Sequence, residues 1–417
     1  MKNKRLFPIF LMLLWPAALY GGDQEKETNV NERYAVESVT LSGVSESRIS
    51  KTLREDLQKL VGEKYSQKAA HELAGKLRVE LREYAVEVKV KRGDKPEHVK
   101  VVYQTERIRW KRFEVPVPLV VYHSKQGFGG ALEIPIDIHH NVFTFGLVSD
   151  ADSLLERGAG LLLRYENRKV GTDMVQLRID FDSYHQTFNA ATESALAERP
   201  DVPGIYRWRQ NFAPSLSLYP TRDWKLSVGT SFQRFQMQYP STRTETAYAG
   251  TADIEYRHSA RSENGYRQNL SASYGLRTAT RALDSEYVYT RHSITANYAL
   301  AKGRNLFAAH FQGGTITGTA PLFERFSFGN STTLRGWNKF DVAPLGGARA
   351  AHGTLEYRYR WFQLFYDVGA VWDAGRSAPV RHGLGFGAAT RDGFFASLAF
   401  PVRLHDVAPV FMLGIRY

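Results

Sequence analysis

The sequence predicts a mainly β fold: a sixteen-strand transmembrane antiparallel β-barrel preceded by one small α/β domain. From about residue 115 to the end, apolar and polar residues alternate in short segments separated by Gly, Asp, Asn, Pro and Ser. Beyond the N-terminal leader no run of about 18 apolar residues could form a transmembrane helix, and aromatic residues make up 13% of the chain. Only helices and closed barrels satisfy backbone polar groups in lipid, so a membrane protein with this pattern must be a barrel.

The first 22 residues are predicted to be a signal peptide. Lys2, Lys4 and Arg5 form a basic region, residues 6–19 are apolar but interrupted by prolines, and small residues follow at 18–22. The apolar part is too short to span a bilayer as a helix. We therefore expect the mature protein to lack segment 1–22. The chain contains no cysteine, so disulfides do not stabilise it.

A compact α/β domain is predicted between residues 30 and 107. After an extended start, a first helix capped by Ser45 or Ser47 and a second capped by Ser66 each carry one apolar stripe. Two alternating strands follow, separated by a turn at 93–96. The apolar positions are Ile49, Leu53, Leu57 and Leu60; Ala70, Leu73, Leu77, Leu81 and Tyr84; Val86, Val88 and Val90; and Val99, Val101 and Tyr103. This order predicts one sheet covered by two helices.

The barrel is predicted to occupy residues 115–417. A transmembrane strand needs only about 9–11 residues, so sixteen strands fit with room for loops. The candidate strands lie near 128–135, 141–150, 158–167, 172–188, 206–220, 223–239, 246–261, 265–280, 286–302, 304–318, 321–328, 346–360, 361–373, 382–392, 394–404 and 408–417.

The final strand shows the strictest alternation. Its expected lipid-facing row is Phe411, Leu413, Ile415 and Tyr417. A soluble sandwich or propeller would also alternate, but it would not usually end on such a row after an export signal. The strand at 223–239 is less regular, since its phase shifts between Phe232 and Phe235, which predicts a bulge or a misplaced boundary.

A Gly-rich loop at 319–348 is the strongest candidate for a functional element, because loops this long inside a barrel are usually functional or fill the lumen. It contains Arg335. An Arg in a barrel lumen needs carboxylate partners, and alternation places Glu356 and Asp367 on the lumenal face of the next two strands. Spacing alone leaves two alternatives open: Arg335 clamps the loop to Glu356, Asp367 or both, or the segment is an ordinary surface loop.

These features resemble the BamA-type superfamily of outer-membrane assembly and translocation proteins, the bacterial surface antigen family. Leu334-Arg335-Gly336-Trp337 is similar to the family's Val/Ile-Arg-Gly-Phe/Tyr loop motif, with Trp337 in place of the usual Phe or Tyr. Residues 353–358 and 365–373 are similar to the two strands that follow it. The domain at 30–107 resembles a single POTRA (polypeptide-transport-associated) domain.

The resemblance implies a location in the bacterial outer membrane, with the POTRA domain in the periplasm. It also implies a barrel seam, in which the first strand at Gly127-Phe128-Gly129 pairs with the last strand at Phe411, Leu413, Ile415 and Tyr417. The implied function is insertion or translocation of polypeptides through the POTRA domain and a loop-gated barrel. The implied partners are outer-membrane lipid, an unfolded or extended polypeptide client, and a periplasmic partner of the POTRA domain.

Two other functions stay open at this point: a passive or gated channel without a protein client, and a surface or lipid-handling enzyme. No catalytic motif is visible, so we expect no enzymatic activity and no cofactor. The adjacent His139 and His140 are expected to solvate a turn rather than bind a metal ion. The formal charge of +12 is spread through alternating segments and forms no compact patch, so we expect no nucleic-acid partner.

Overall fold

The computed structural model describes residues 33–44, 46–81, 84–107, 118–138, 140–149, 156–172, 174–221, 223–261, 265–390, 393–403 and 407–416. The predicted signal peptide, together with Ser45, His139 and Tyr417, lies outside the described residues. The chain divides into two compact units, residues 1–109 and 110–417.

The N-terminal unit is one three-stranded sheet with two helices. Strand β1 is parallel to β3, and β2 is antiparallel to β3, so the strand order is β1-β3-β2. The elements are β1 (Ala35–Ser42), a 3₁₀ turn (Glu46–Arg48), α1 (Lys51–Lys59), α2 (Gln67–Glu80), β2 (Tyr84–Arg92) and β3 (His98–Arg107). This is the predicted order of strand, helix, helix, strand and strand.

The cap of α1 differs from the prediction. Ser50, not Ser45 or Ser47, accepts the Leu53 N–H through its hydroxyl at 3.2 Å. The reason is that residues 46–48 form a 3₁₀ turn first, so the α-helix begins one turn later. The second helix starts as predicted, with the Ser66 hydroxyl accepting the Ala69 N–H at 3.3 Å.

The core of this unit lies between the helices and the inward face of the sheet. Tyr103 is fully buried there, and its hydroxyl donates to the Ala70 carbonyl of α2 at 3.2 Å. Burial raises the pKa of Tyr103, so the hydroxyl remains a proton donor. This hydrogen bond joins the central strand to α2.

The second unit is a closed barrel of sixteen strands, in which each strand pairs with its neighbours in sequence and β19 pairs with β4. A short helix, α3 (Ala190–Ala197), lies between β8 and β9, and α4 (Lys339–Val342) lies between β14 and β15. The strands are β4 (Pro118–His123), β5 (Gly127–Ile138), β6 (Asn141–Ser149), β7 (Arg157–Asn167), β8 (Val175–Thr187), β9 (Tyr206–Leu218), β10 (Trp224–Met237), β11 (Arg243–Arg261), β12 (Arg267–Ala279), β13 (Tyr289–Lys302), β14 (Asn305–Gly318), β15 (Arg349–Tyr359), β16 (Phe362–Trp372), β17 (Arg381–Ala389), β18 (Phe394–Pro401) and β19 (Val410–Arg416).

The barrel has the predicted number of strands, but one of them, β4, was not predicted, and the predicted strand at 321–328 does not form. The prediction missed β4 because apolar residues occupy both of its faces, so residue type does not alternate along its sequence. Val120 is exposed and Val121 is buried, although both are valine. Pro118 stands at its first position, where a missing N–H is tolerated. The predicted strand at 321–328 is instead a 3₁₀ turn, Leu322–Glu324, followed by coil. Its apolar residues are buried inside the barrel rather than facing lipid.

The bulge predicted between Phe232 and Phe235 in strand 223–239 does not occur. β10 keeps its register with both β11 and β9 over this stretch, and its pairing with β9 shifts only later, between Gln236 and Met237. Phe232 is exposed on the outer face, whereas Phe235 is fully buried inside. The apparent phase shift arises because the lumen at this end of the strand is filled with apolar side chains.

The outer face of the barrel carries the large apolar residues. Leu132, Ile294 and Leu355 are about half exposed on this face, while their neighbours in sequence point inward. Within the described residues, no helix is both long enough and apolar enough to cross a membrane.

Ile294→Arg and Ser293→Arg form a matched test of the strand faces. Ile294 points outward from the middle of β13, so the arginine should destabilise the folded barrel by about 2–4 kcal/mol. Ser293 points inward and lies near the Asp253 carboxylate, because both flank Gly275. An arginine there should cost much less. Folding yields in lipid vesicles, measured by the compact gel mobility of the unheated barrel, should separate the two variants. Equal yields would contradict the assignment of faces. Met412 would be an unsuitable inward control, since it is fully buried in an apolar cluster.

Candidate functional site: a loop held inside the barrel

The loop 319–348 between β14 and β15 lies inside the barrel. Many of its side chains are buried, among them Phe328, Leu334 and Trp337, which pack against Ala350 of β15 and Val371 of β16. A surface loop would leave such apolar residues in water. The loop therefore occupies the lumen, which removes the alternative of an ordinary surface loop.

Arg335 is the main contact between the loop and the wall. It is 4% exposed, and Asp367 of β16 is fully buried beside it. The Nε and Nη2 atoms of Arg335 donate to the two Asp367 carboxylate oxygens, each at 2.9 Å, and its backbone N–H donates to Oδ2 at 2.9 Å. Arg335 and Asp367 thus form a bidentate ion pair with a third hydrogen bond from the main chain. This geometry compensates the two buried charges and also fixes the position of the loop backbone.

Glu356 of β15 is the second carboxylate, and it is more distant. Arg335 Nη1 donates to it at 3.4 Å, while Glu356 also contacts Arg358. Asp367 is held in turn by the Thr354 hydroxyl at 2.8 Å. The guanidinium also lies 3.6 Å from the centre of the Phe365 ring. Both carboxylates that the sequence proposed thus meet Arg335, with Asp367 as the principal partner.

The neighbours of Arg335 in the motif have structural reasons of their own. Leu334 has φ +45°, a conformation that a branched side chain rarely adopts, and its N–H donates to His352 Nε2 at 3.1 Å. Gly336 has φ +113°, and a Cβ there would lie 3.0 Å from the Phe400 carbonyl carbon of β18. Trp337 donates its indole N–H to the His382 carbonyl of β17 at 2.8 Å, a bond that Phe could not make.

A second anchor, absent from the sequence prediction, holds the loop to another part of the wall, formed by β10, β12 and β13. Glu324 is 6% exposed and accepts from Arg277 Nη1 of β12 at 2.6 Å and from Gln233 Nε2 of β10 at 3.2 Å. Arg291 of β13 lies 3.9 Å from its other oxygen. Residue 324 belonged both to a candidate strand at 321–328 and to the candidate loop 319–348, and no sequence pattern indicated a partner for Glu324.

A third anchor joins the loop to the segments beside it. Arg325 donates from Nη2 to Asp373, just after β16, at 2.7 and 2.9 Å, and from Nε to the Leu345 carbonyl at 2.8 Å. Asp373 also accepts from Arg199, near α3, at 3.0 Å. Asp373 lies six residues after Asp367 in the same alternating segment, which gives it the lumenal parity but indicates no partner.

The seam differs from the prediction. Gly127, Phe128 and Gly129 lie on β5, and they pair with His123, Tyr122 and Val121 of β4 rather than with the last strand. The last strand pairs with β4: Leu413 is opposite Tyr122, Gly414 opposite Val121, and Ile415 opposite Val120. Phe411 exchanges two hydrogen bonds with Ser124 beyond the end of β4. The error follows from the missed strand, since β5 was taken as the first.

The loop also reaches the other side of this seam. Gln126, in the turn between β4 and β5, donates its side-chain N–H₂ to the Gly329 carbonyl at 2.8 Å and to Asn338 Oδ1 at 3.2 Å. Arg335 and Trp337 meanwhile hold the loop to β16 and β17, on the β19 side of the seam. The loop therefore bridges the seam from within.

In the part of the chain that the structure describes, no three His, Asp or Glu side chains are grouped closely enough to hold a metal ion.

Arg335→Ala should destabilise the barrel by about 3–5 kcal/mol, because it leaves Asp367 as an unpaired buried charge. Arg335→Lys should restore only part of the loss, since an ammonium cannot bridge a carboxylate in a plane. Asp367→Ala combined with Arg335→Ala should cost less than the sum of the single changes. Thermal unfolding followed by gel mobility measures Arg335→Ala, Arg335→Lys, Asp367→Ala and the double variant. Arg358→Ala, on the same wall but a third exposed, is the control and should cost less than about 1 kcal/mol. Strict additivity would contradict the clamp.

Glu324→Gln keeps the shape of the side chain but removes the charge that faces Arg277 and Arg291. We expect a loss of about 3–5 kcal/mol in the same unfolding measurement, with faster proteolysis of the loop. Glu198→Gln changes an exposed carboxylate near α3 and should have little effect. If the two substitutions behaved alike, the second anchor would have no energetic importance.

Comparisons with known proteins agree with this geometry. Residues 160–391 match the model of the Omp85 superfamily domain, which is more than half of the chain. The fold is similar to that of BamA from Haemophilus ducreyi lacking POTRA domains 1–3, with a TM-score of 0.56, 14% identity, and 93% of this chain and 85% of that chain covered. It is also similar to CdiB from Acinetobacter baumannii, with a TM-score of 0.52, 14% identity, and 93% and 74% covered. No curated protein sequence matches the chain. The chain belongs to the Omp85 superfamily of outer-membrane β-barrels.

Proposed function

We propose that this barrel inserts or translocates polypeptides at the outer membrane by opening the seam between β4 and β19, without nucleotide or cofactor. The observation that carries the proposal is the shortness of that seam. Among the barrel strands described, β4 with 6 residues and β19 with 7 are the shortest, whereas β12 and β13 have 13 and 14. Few ladder hydrogen bonds join β4 to β19. The ladder between β4 and β5 is as short, but a turn connects those two strands, whereas no turn connects β4 to β19. The seam is therefore the cheapest place to separate two strands, and each separated strand offers an unpaired edge.

The loop is the proposed gate. Its contact with β15 and β16 uses buried charges. Its hydrogen bonds to the β4–β5 turn, among the described residues, come from one neutral side chain, that of Gln126. Breaking a neutral hydrogen bond costs far less than breaking a buried ion pair. The seam can therefore open on the β4 side while Arg335 keeps the loop attached to β16.

The proposed orientation follows from loop length. Long connections, including 319–348 and the segment containing α3, leave one end of the barrel, and short turns such as 303–304 lie at the other. In outer-membrane barrels the short turns are periplasmic. β4 begins at that end, which supports placing the N-terminal unit, as a POTRA domain, in the periplasm after removal of segment 1–22. An edge of its sheet could bind an extended client by strand addition.

A gated channel is the second candidate, and the polar lumen favours it. Inward-facing charges such as Arg164, Glu166, Arg178 and Asp180 form ion pairs on the walls of β7 and β8 and remain partly exposed. At the end with the long loops, however, apolar residues from the α3 segment, loop 319–348 and the wall pack into one cluster, including Leu196, Leu322 and Phe235. This cluster favours a closed lumen over a passive pore.

A disulfide across the seam tests the proposal. The chain has no cysteine, so Tyr122→Cys with Leu413→Cys introduces one defined pair at directly opposed positions. Oxidation should abolish insertion of an unfolded outer-membrane barrel client into proteoliposomes, and reduction should restore it. The control pair, Ala272→Cys with Ala296→Cys, joins β12 and β13 and should leave insertion intact.

Ion conductance of the same proteoliposomes distinguishes the two functions. A gated channel would conduct whether or not the seam is locked and would not depend on the client. Undiminished insertion by the oxidised seam variant would overturn the seam mechanism. Crosslinking of clients from residues 85–107 provides a separate measure of client capture by the N-terminal unit.

A further inference from the structure

A groove of about 1000 Å³ crosses the outer face of the barrel between the seam and β9. Its floor is a row of small residues on three neighbouring strands. Gly130 of β5 is opposite Ser149 of β6, and Ser149 is opposite Ala159 of β7. The wall of the groove is the next outward row on the same strands, which is made of large apolar residues: Leu132, Leu147 and Leu161.

This groove lies near the long-loop end of the barrel, because Ser149 is the last residue of β6 and Ala159 the third of β7. One end of it reaches Val120 and Ile415 at the seam, and the other reaches Trp208 of β9. On the lipid-facing side of a barrel, acyl chains fill such a groove, since an empty one would forfeit the dispersion contacts of its lining.

The outward side chains of β10 show where the apolar band of the barrel ends. Before Arg234 the large exposed residues are apolar, namely Trp224, Leu226, Val228 and Phe232. Phe232 packs against Phe212 of β9 and Tyr248 of β11. Aromatic girdles flank the apolar band of outer-membrane barrels at the two interfaces. Arg234, one outward position beyond Phe232, therefore lies at the level of the lipid headgroups.

Two arginines at this level lack a carboxylate partner. Arg234 is opposite Gln210 of β9, and Arg207 is the extra residue where the pairing of β9 with β10 shifts register, next to Trp208 of the groove. Both arginines are exposed, and neither forms an ion pair within the described residues. The carboxylates described on β5–β10 are instead used in ion pairs inside the barrel.

We propose that this groove binds a lipid with several acyl chains and with phosphate groups on its headgroup, the class that includes lipid A. The acyl chains lie on the small-residue floor, and the phosphates bind Arg207 and Arg234, whose planar guanidinium groups hold phosphate oxygens in pairs. A second copy of the chain fits less well, because face-to-face packing about a two-fold axis would bring these arginines against one another.

The bound lipid also covers the outer side of the seam. Ile415 of β19 and Val120 of β4 are directly opposed, and both line the groove. An acyl chain there contacts both strands at once. Binding at this site does not require the seam to open, so the lipid site and the seam mechanism can fail separately.

Native mass spectrometry of the full-length protein in a neutral detergent tests the site. The probes are diphosphoryl lipid A, the same lipid without phosphates, phosphatidylglycerol and inorganic phosphate. Diphosphoryl lipid A should bind most tightly. Arg207→Gln with Arg234→Gln should weaken its binding by about tenfold or more. Arg281→Gln with Arg376→Gln, the same charge change at exposed positions in two other connections at the long-loop end, should not.

A second pair of variants tests the shape of the groove. Ala159→Phe fills the floor and should weaken the binding of lipid A without removing a charge. Ala252→Phe makes the same change on β11 opposite Val228, away from the groove, and should not affect binding. Compact gel mobility of the unheated protein verifies that each variant is folded.

Four outcomes would each overturn the site. They are equal binding of lipid A with and without phosphates, equal binding of phosphatidylglycerol, equal losses in a variant and its control, and a dimer that excludes lipid. Binding of inorganic phosphate that Ala159→Phe leaves unchanged would indicate an anion site without a lipid and would also overturn it.

Discussion

The buried ion pair between Arg335 and Asp367 is the constraint on which the rest of the barrel depends. Neither charge is stable in the lumen without the other, because removing a charge from water costs several kcal/mol unless a partner compensates it. Three hydrogen bonds from one residue to one carboxylate fix both the side chain and the main chain of the loop. With that point fixed, Leu334 and Trp337 are directed into an apolar cluster between the loop and the wall, and loop 319–348 must lie in the lumen.

The other anchors turn this single attachment into a bridge. Glu324 binds the wall formed by β10, β12 and β13, while Arg335 binds β15 and β16. The loop thus joins two separate parts of the wall through charges, whereas its hydrogen bonds to the β4–β5 turn, within the described residues, come from a neutral amide. This difference in strength between the two attachments determines which side of the seam moves in the proposed opening. The strands around Arg335 stay together, and the β4 side of the seam is the part that can separate.

The two units share a feature that soluble proteins usually avoid, namely a strand edge available for pairing. In the barrel the edge is latent and is covered by the pairing of β4 with β19. In the N-terminal unit, among the described residues, no strand pairs with the outer edge of β2.

The sequence by itself determined the period of each unit, and with it the fold class, the two helices over a sheet, fifteen of the sixteen strands and the presence of lumenal carboxylates opposite Arg335. These properties depend on local alternation, which a single chain displays. Only the tertiary structure decided which strand closes the barrel, where Glu324 lies and what Gln126 contacts. β4 is a strand with apolar residues on both faces, whereas residues 321–328 are apolar because they fill the lumen. Periodicity cannot distinguish these two cases. Anchors such as Gln126 with Gly329 join residues that are some 200 positions apart in the chain, and no local pattern records a contact that exists only after the barrel has closed.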